Sequence, residues 1–246
     1  MSLNPEVLAE QVMGYAVGAA ELIPTLKQSQ GNTYTVAIIP QGPHFYTGLL
    51  QAGGYLLLDH KKKDMLIISE QTENPEDIVI DPVDYSPILG KSWKNPVVTI
   101  KELSNEIGAK KKNTEHPSIS ETIHQQLPFI RVMTQTKGLV HISVGKKIGK
   151  AALEKIVQRI DDHRESYNIV FLTNIELSPI PKSGKSDEQK KIHQIIRTAS
   201  PNKPLLYIFR QVLDILDKEP EIIAYVNPKD FGRSSSIATR YICAVG

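Results

Sequence analysis

Three stretches of this chain hold side chains able to bind a metal or move a proton. The first is Ile38-Ile39-Pro40-Gln41-Gly42-Pro43-His44-Phe45-Tyr46-Thr47-Gly48, which closes the apolar run Tyr34–Ile39 and opens a helix-like segment, Leu49–Leu58. A loop between strand and helix lies at the carboxyl end of the strand, where open α/β sheets place their ligands. His44 is the acid–base candidate there. The second stretch runs from Glu115 to His124. If a helix starts at Ser120, Glu121 and His124 share a face at i, i+3, a spacing that offers two metal ligands or an acid–base pair. The plainer reading is a polar helix start, with Ser118 or Ser120 as cap, Glu121 against the helix dipole and His124 in water. The third group follows later apolar runs: Asn174 and Glu176 after Asn168–Thr173, and Asp230 with Arg233-Ser234-Ser235-Ser236 after Glu221–Val226. If all these runs are strands of one sheet, their loops converge into a polar pocket.

Two glycine–lysine stretches do not make a nucleotide site. Gly145-Lys146-Lys147-Ile148-Gly149-Lys150-Ala151 is one residue short between its glycines and lacks the hydroxyl that holds magnesium. Gly184-Lys185-Ser186 has the hydroxyl, but Pro179 stands where the first glycine belongs.

The elements that must position these residues are legible as a pattern. Short runs rich in valine and isoleucine recur at Tyr34–Ile39, Met65–Ser69, Leu139–Val144, Asn168–Thr173, Glu221–Val226 and Arg240–Val245. Most do not alternate with polar residues, as expected of strands buried on both faces. Helical periods separate them at Glu6–Ala20, Lys150–Ile160 and Pro204–Asp217, the last with proline where a first turn tolerates it. Alternating strands and helices predict an α/β domain with a central, mostly parallel sheet and helices on both faces. Ile78–Ile80 and Val97–Ile100 flank a proline-rich excursion, and Ile180–Asp187 reads as a loop. With no repeat and no low-complexity tract, residues 1–246 read as one domain, 1–30 being an N-terminal helical segment.

Composition narrows the function classes. An apolar share of 40% with 23% charged residues provides a substantial core and argues against disorder. A formal net charge of +2, with few aromatics among the lysine clusters, argues against a nucleic-acid surface. No apolar run approaches the roughly 20 residues of a membrane span, and the N-terminus lacks a basic region before an apolar core. Cys243 is the only cysteine, which excludes an intrachain disulfide and a thiolate-rich zinc site. It lies in an apolar run, as a buried inert thiol would. A cytoplasmic setting follows.

The chain resembles the Memo family, relatives of the class III extradiol dioxygenases, and in particular the branch named AmmeMemoRadiSam system protein B. Ile38–Gly48 is similar to the family's proline–histidine–alanine–glycine–tyrosine loop. Leu66–Thr72 resembles its strand ending in glycine–proline–serine–histidine, and Tyr85–Gly90 its threonine–proline–leucine–glycine segment. Glu121–Phe129 resembles the histidine–serine–isoleucine–glutamate–x–histidine–leucine–proline–phenylalanine signature, keeping Ile123 and Leu127-Pro128-Phe129. Leu139–Gly145, Phe171–Leu177 and Tyr225–Tyr241 follow in family order. The resemblance implies the family's layered α/β fold, but not its metal centre. The family's metal-binding histidines fall on Gln41 and near Thr72, and its cysteine near Lys229 or Asp230. The signature histidines fall on Glu121 and Gln126, and its glutamate on His124. The aspartate of the serine–serine–aspartate stretch falls on Asn174, and the following histidine near Leu177. Losing imidazoles removes the nitrogen donors that suit iron, copper or zinc.

Two functions are therefore expected to compete. One is a Memo-like binding protein without the inherited metal or another cofactor, whose cleft (Gln41, His44, Glu121, His124, Asn174, Glu176, Asp230) takes a small molecule or a protein. The resemblance implies radical SAM and AMMECR-type proteins as its partners. The other is a metal-dependent oxygenase or a hydrolase with a rebuilt site, drawn from His44, Glu121, His124, Glu176 and Asp230 and using a new divalent metal.

Overall fold

In the computed structural model the structure describes residues 5–22, 34–62, 64–71, 73–81, 85–88, 91–93, 101, 105–111, 121–176, 185–226 and 239–246. Helix α1 spans Pro5–Leu22. Strand β1 (Val36–Ile39) leads into α2 (His44–Leu57) and then β2 (Asp64–Gln71) and β3 (Ile78–Asp81). A hairpin of β4 (Tyr85–Ile88) and β5 (Lys91–Trp93) and the short β6 (Lys110–Lys111) precede α3 (Glu121–Met133). Then come β7 (Gly138–Gly145), α4 (Lys150–His163), β8 (Tyr167–Leu172), β9 (Ile175–Glu176), α5 (Lys185–Arg197), α6 (Pro204–Leu216), β10 (Glu221–Val226) and β11 (Thr239–Val245).

The main sheet runs β10-β11-β1-β8-β2-β7-β3-β6, with β9 joined to β11. Its four middle strands, β1, β8, β2 and β7, are parallel, as the unbroken apolar runs require. Antiparallel strands flank them, with β11 on β1 and β3 on β7. The proline-rich excursion therefore begins from a strand of the sheet, and among the described residues the β4–β5 hairpin forms a separate ribbon. Val97–Ile100 lies outside the described residues.

The period of two divides each strand between two cores. Ala37, Ile39, Met65, Ile67, Val170 and Leu172 face a layer made by α1, α2 and α3. Val36, Ile38, Leu66, Ile68, Ile169 and Phe171 face α4, α5 and α6. In α4 the buried residues Leu153, Ile156, Val157 and Ile160 repeat at the helical period. Helix α6 begins with six consecutive buried residues, Pro204 to Phe209, because neighbouring helices and the sheet enclose its first turns. Its end is marked by Asp217 in the left-handed conformation, φ 53°.

Two boundaries depart from the sequence pattern. Helix α2 starts at His44, not Leu49, because Pro43 has the extended ψ of a helix entry and Thr47 N–H donates to its carbonyl. Helix α5 begins at Lys185, inside the stretch read as a loop, with Asp187 and Glu188 in the first turn where the helix dipole favours acids. Among the described residues no helix is long and apolar enough to cross a membrane.

Candidate functional site

Strands β1 and β8 are parallel neighbours whose chains leave in opposite directions. From β1 the chain passes to α2 on one face, and α5, which follows β8 and β9, packs on the other. Such a switch leaves a crevice at the carboxyl ends of the strands, where ligands of open α/β sheets bind. Here the chain's own amides tie the two strand ends together. Asn174 Oδ1 accepts from Gln41 N–H at 3.1 Å, and Asn174 Nδ2 donates to the Gln41 carbonyl at 2.8 Å. Gln41 Nε2 donates to the Leu172 carbonyl at 2.6 Å. The Asn174 side chain thus acts as one residue of a β-ladder, extending the pairing of β1 and β8 past the last strand residue.

The turn after Gln41 is shaped by Gly42, at φ 154°, a conformation that L side chains rarely adopt. A Cβ there would stand 3.0 Å from the Tyr241 ring and 3.1 Å from Thr47 Cγ2. Thr47 is fully buried, and its hydroxyl lies 3.0 Å from the Gly42 carbonyl and 3.1 Å from that of Pro43. The loop is therefore tied at both ends.

His44 opens α2 and reaches across to α3. Its Nε2 lies 2.9 Å from the Gln125 carbonyl, so that nitrogen carries the proton and Nδ1 is the acceptor. The ring stands edge-on to Phe129, with centroids 5.1 Å apart. Burial pushes the imidazole pKa below its ordinary value, and the bond to Gln125 offsets only part of that. Below His44 the same stripe of α2 carries Gln51 and Tyr55, both fully buried. Gln51 Nε2 donates to the Pro40 carbonyl at 3.1 Å, and the Tyr55 hydroxyl to Gln126 Oε1 at 3.2 Å. Burial raises the Tyr55 phenol far above its usual range, which keeps it a neutral donor.

The residues singled out from sequence are distributed unevenly. Gln41 and Asn174 meet, and His44 starts the helix that follows their loop. His124 is exposed on α3, one position before the Gln125 carbonyl that His44 grips. Glu121 is the first residue of α3, and Glu176 ends β9, opposite Thr239 of β11. Thr72, Leu177, Lys229, Asp230 and Arg233–Ser236 lie outside the described residues, as do Ser118 and Ser120. Among the described residues no three histidine, cysteine or carboxylate side chains are arranged to hold a metal. Nor do Gln41 and Asn174, the two family positions that meet, fit a metal. Gln41 and Asn174 present carboxamides whose Nδ2, Oδ1 and Nε2 are already bound to backbone groups. Cys243, which does not stand at the family's cysteine position, is fully buried, and burial pushes its thiol up to about 12.

A second polar cluster lies inside the apolar runs Met65–Ser69 and Leu139–Val144, where one histidine was the single local prompt. Ser69 Oγ is 2.8 Å from His141 Nε2 and 3.5 Å from Ser143 Oγ. Ser69 pairs with Leu172, which pairs with Ile39, so Ser69 is level with the ends of β1 and β8. It shares a face with Met65 and Ile67 and so points toward α1, α2 and α3. Hollows of about 260 Å³ at the amino end of α4 and about 320 Å³ between α5 and α6 lie away from both clusters.

No family model matches the chain, and no curated protein does. Among solved structures, the chain is similar to the uncharacterized protein JW3007 from Escherichia coli K12. That match has a TM-score of 0.48 at 11% identity and covers 86% of this chain and 99% of the other.

Proposed function

We propose that the chain is a divergent Memo-like protein in which the family's metal positions have become loop locks and the strand-end cleft serves binding. The observation that carries this reading is the Gln41–Asn174 interlock. The residue standing where the resemblance puts a metal histidine uses its side-chain amide on the Leu172 carbonyl, and its backbone is held by Asn174. Carboxamides are weak ligands for iron, copper or zinc. Binding partners of the radical SAM and AMMECR type, or a small polar molecule, belong to the same proposal, as does a cytoplasmic location.

Metal retention is the first test. Tagless protein loaded with iron(II), copper(II) or zinc and then dialysed should hold far less than one equivalent, as should a Glu121→Ala/His124→Ala control. One equivalent retained by the native chain and lost by that control would overturn the reading in favour of a rebuilt metal site. Co-purification with a radical SAM or AMMECR-type protein, weakened by Asn174→Ala, would support the partner half of the proposal.

A further inference from the structure

We propose that the outward face of α1 is a docking surface for a basic amphipathic helix of a partner protein, two of whose lysine or arginine side chains pair with Glu10 and Glu21. This surface stands apart from the strand-end cleft and does not depend on the binding reading. It belongs to a helix that is apolar on both sides. Val12, Ala16 and Ala19 bury one face of α1 in the layer it shares with α2 and α3. The packing there is close. A Cβ on Gly18 would stand 2.8 Å from Leu49 Cδ2, and the Tyr15 ring stacks on Phe129 of α3 with centroids 6.1 Å apart. A helix seated in this way should be polar on its other face. Instead Val7, Met13 and Val17 are 42%, 51% and 55% exposed, and among the described residues Ile215 is the one other large apolar side chain in that state.

Spacing and charge say what covers this face. Val7, Glu10, Gly14, Val17 and Glu21 follow one another at steps of three and four, the seam along which a second helix packs, and Met13 lies beside it. Gly14 is exposed, and a Cβ there would meet nothing within 4 Å, so a partner's backbone can come close at the middle of the row. The helix contains glutamates but no lysine or arginine. Glu10 and Glu21 are exposed, and neither pairs with a cation among the described residues. Glu21 also stands in the last turn, where the helix dipole favours a cation nearby. The step from residue 10 to residue 21 is about 16 Å along the axis. The same step on a partner helix returns to one face, so its two bases reach both acids while its apolar residues cover Met13 and Val17.

Other occupants fit the charges less well. If α1 helices of two copies packed antiparallel, the register that sets Gly14 against Val17 would also set Glu10 against Glu21, acid on acid. A parallel pair would set each glutamate against itself. An anionic bilayer would meet the same two carboxylates with its own negative surface.

The test uses the full chain and two designed amphipathic peptides. Both carry leucines on one face, and one has two arginines on that face at the spacing of Glu10 and Glu21. The other has glutamates in their place. By fluorescence anisotropy at low salt the native chain should bind the arginine peptide about tenfold more tightly or better, as two exposed ion pairs replaced by repulsions imply. Glu10→Lys/Glu21→Lys should reverse that preference. Met13→Gln/Val17→Gln should weaken the arginine peptide by a similar factor, with circular dichroism and Tm close to those of the parent because these side chains are exposed. No binding, equal binding of the two peptides, or a preference that the charge reversal leaves unchanged would sink the proposal. So would self-association of the native chain, or its capture by phosphatidylcholine–phosphatidylglycerol vesicles, if Met13→Gln/Val17→Gln abolished it, since the face would then belong to a second copy or to lipid.

Discussion

Replacing Asn174 tests whether one side chain ties the ends of β1 and β8 together. Asn174→Ala removes two hydrogen bonds and leaves the N–H and carbonyl of Gln41 to half-buried surroundings. At about 1 kcal/mol net for each bond, the loss is about 2 kcal/mol. For a chain of 246 residues that corresponds to a Tm lower by roughly 4–8 °C. Asn174→Asp sharpens the test because it is nearly isosteric. Its carboxylate still accepts from Gln41 N–H, but it sets a second oxygen against the Gln41 carbonyl, 2.8 Å from where Nδ2 now donates. That repulsion raises the carboxyl pKa in the folded state above the usual value near 3.9. The folded protein then holds the proton more tightly than the unfolded one, so stability is greatest below about pH 4 and falls as pH rises through the folded pKa. Urea unfolding at pH 7 and pH 4 should place Asn174→Asp below Asn174→Ala at pH 7 and restore much of the difference at pH 4. An Asn174→Ala chain within about 0.5 kcal/mol of the parent, the range of ordinary surface substitutions, would refute the interlock.

Three further outcomes follow from the same geometry. Because burial lowers the His44 pKa, the unfolded chain takes up that proton first, and stability should decline as pH falls from about 6.5 toward the folded pKa. His44→Phe should flatten that part of a urea-midpoint profile, whereas an unchanged slope would place the effect elsewhere. Cys243, fully buried and with its thiol pushed up to about 12, should resist a thiol reagent in the native chain and react at the rate of unfolding. Rapid native labelling would contradict the packing of β11. Gly145→Ala would put a Cβ 2.2 Å from the Pro75 carbonyl oxygen and should cost about 1–3 kcal/mol by denaturant titration. Gly149→Ala meets no neighbour and should stay within about 0.5 kcal/mol.

The periodic features were readable because they are local. Val36–Ile39 and Tyr167–Leu172 are apolar at every position or nearly so, which demands burial on both faces and hence a central parallel sheet. The stripe of α4 and the buried thiol of Cys243 followed from the same reasoning. The entry to α2 was not readable, since its first turn depends on the Thr47 amide and hydroxyl closing onto Gly42 and Pro43. Nor was the acidic start of α5, whose loop-like prefix hid the turn that follows it.

Residue types alone determined a layered α/β chain with one buried thiol and polar loops after its strands. Which polar groups meet was decided by tertiary structure, because hydrogen bonds between residues far apart in the chain leave no local period. Gln41 and Asn174 are 133 residues apart, and they meet because β1 and β8 are parallel neighbours ending at one level. Ser69 and His141 are 72 apart, each hidden in an apolar run, and only the register of β2 on β7 sets a hydroxyl beside an imidazole.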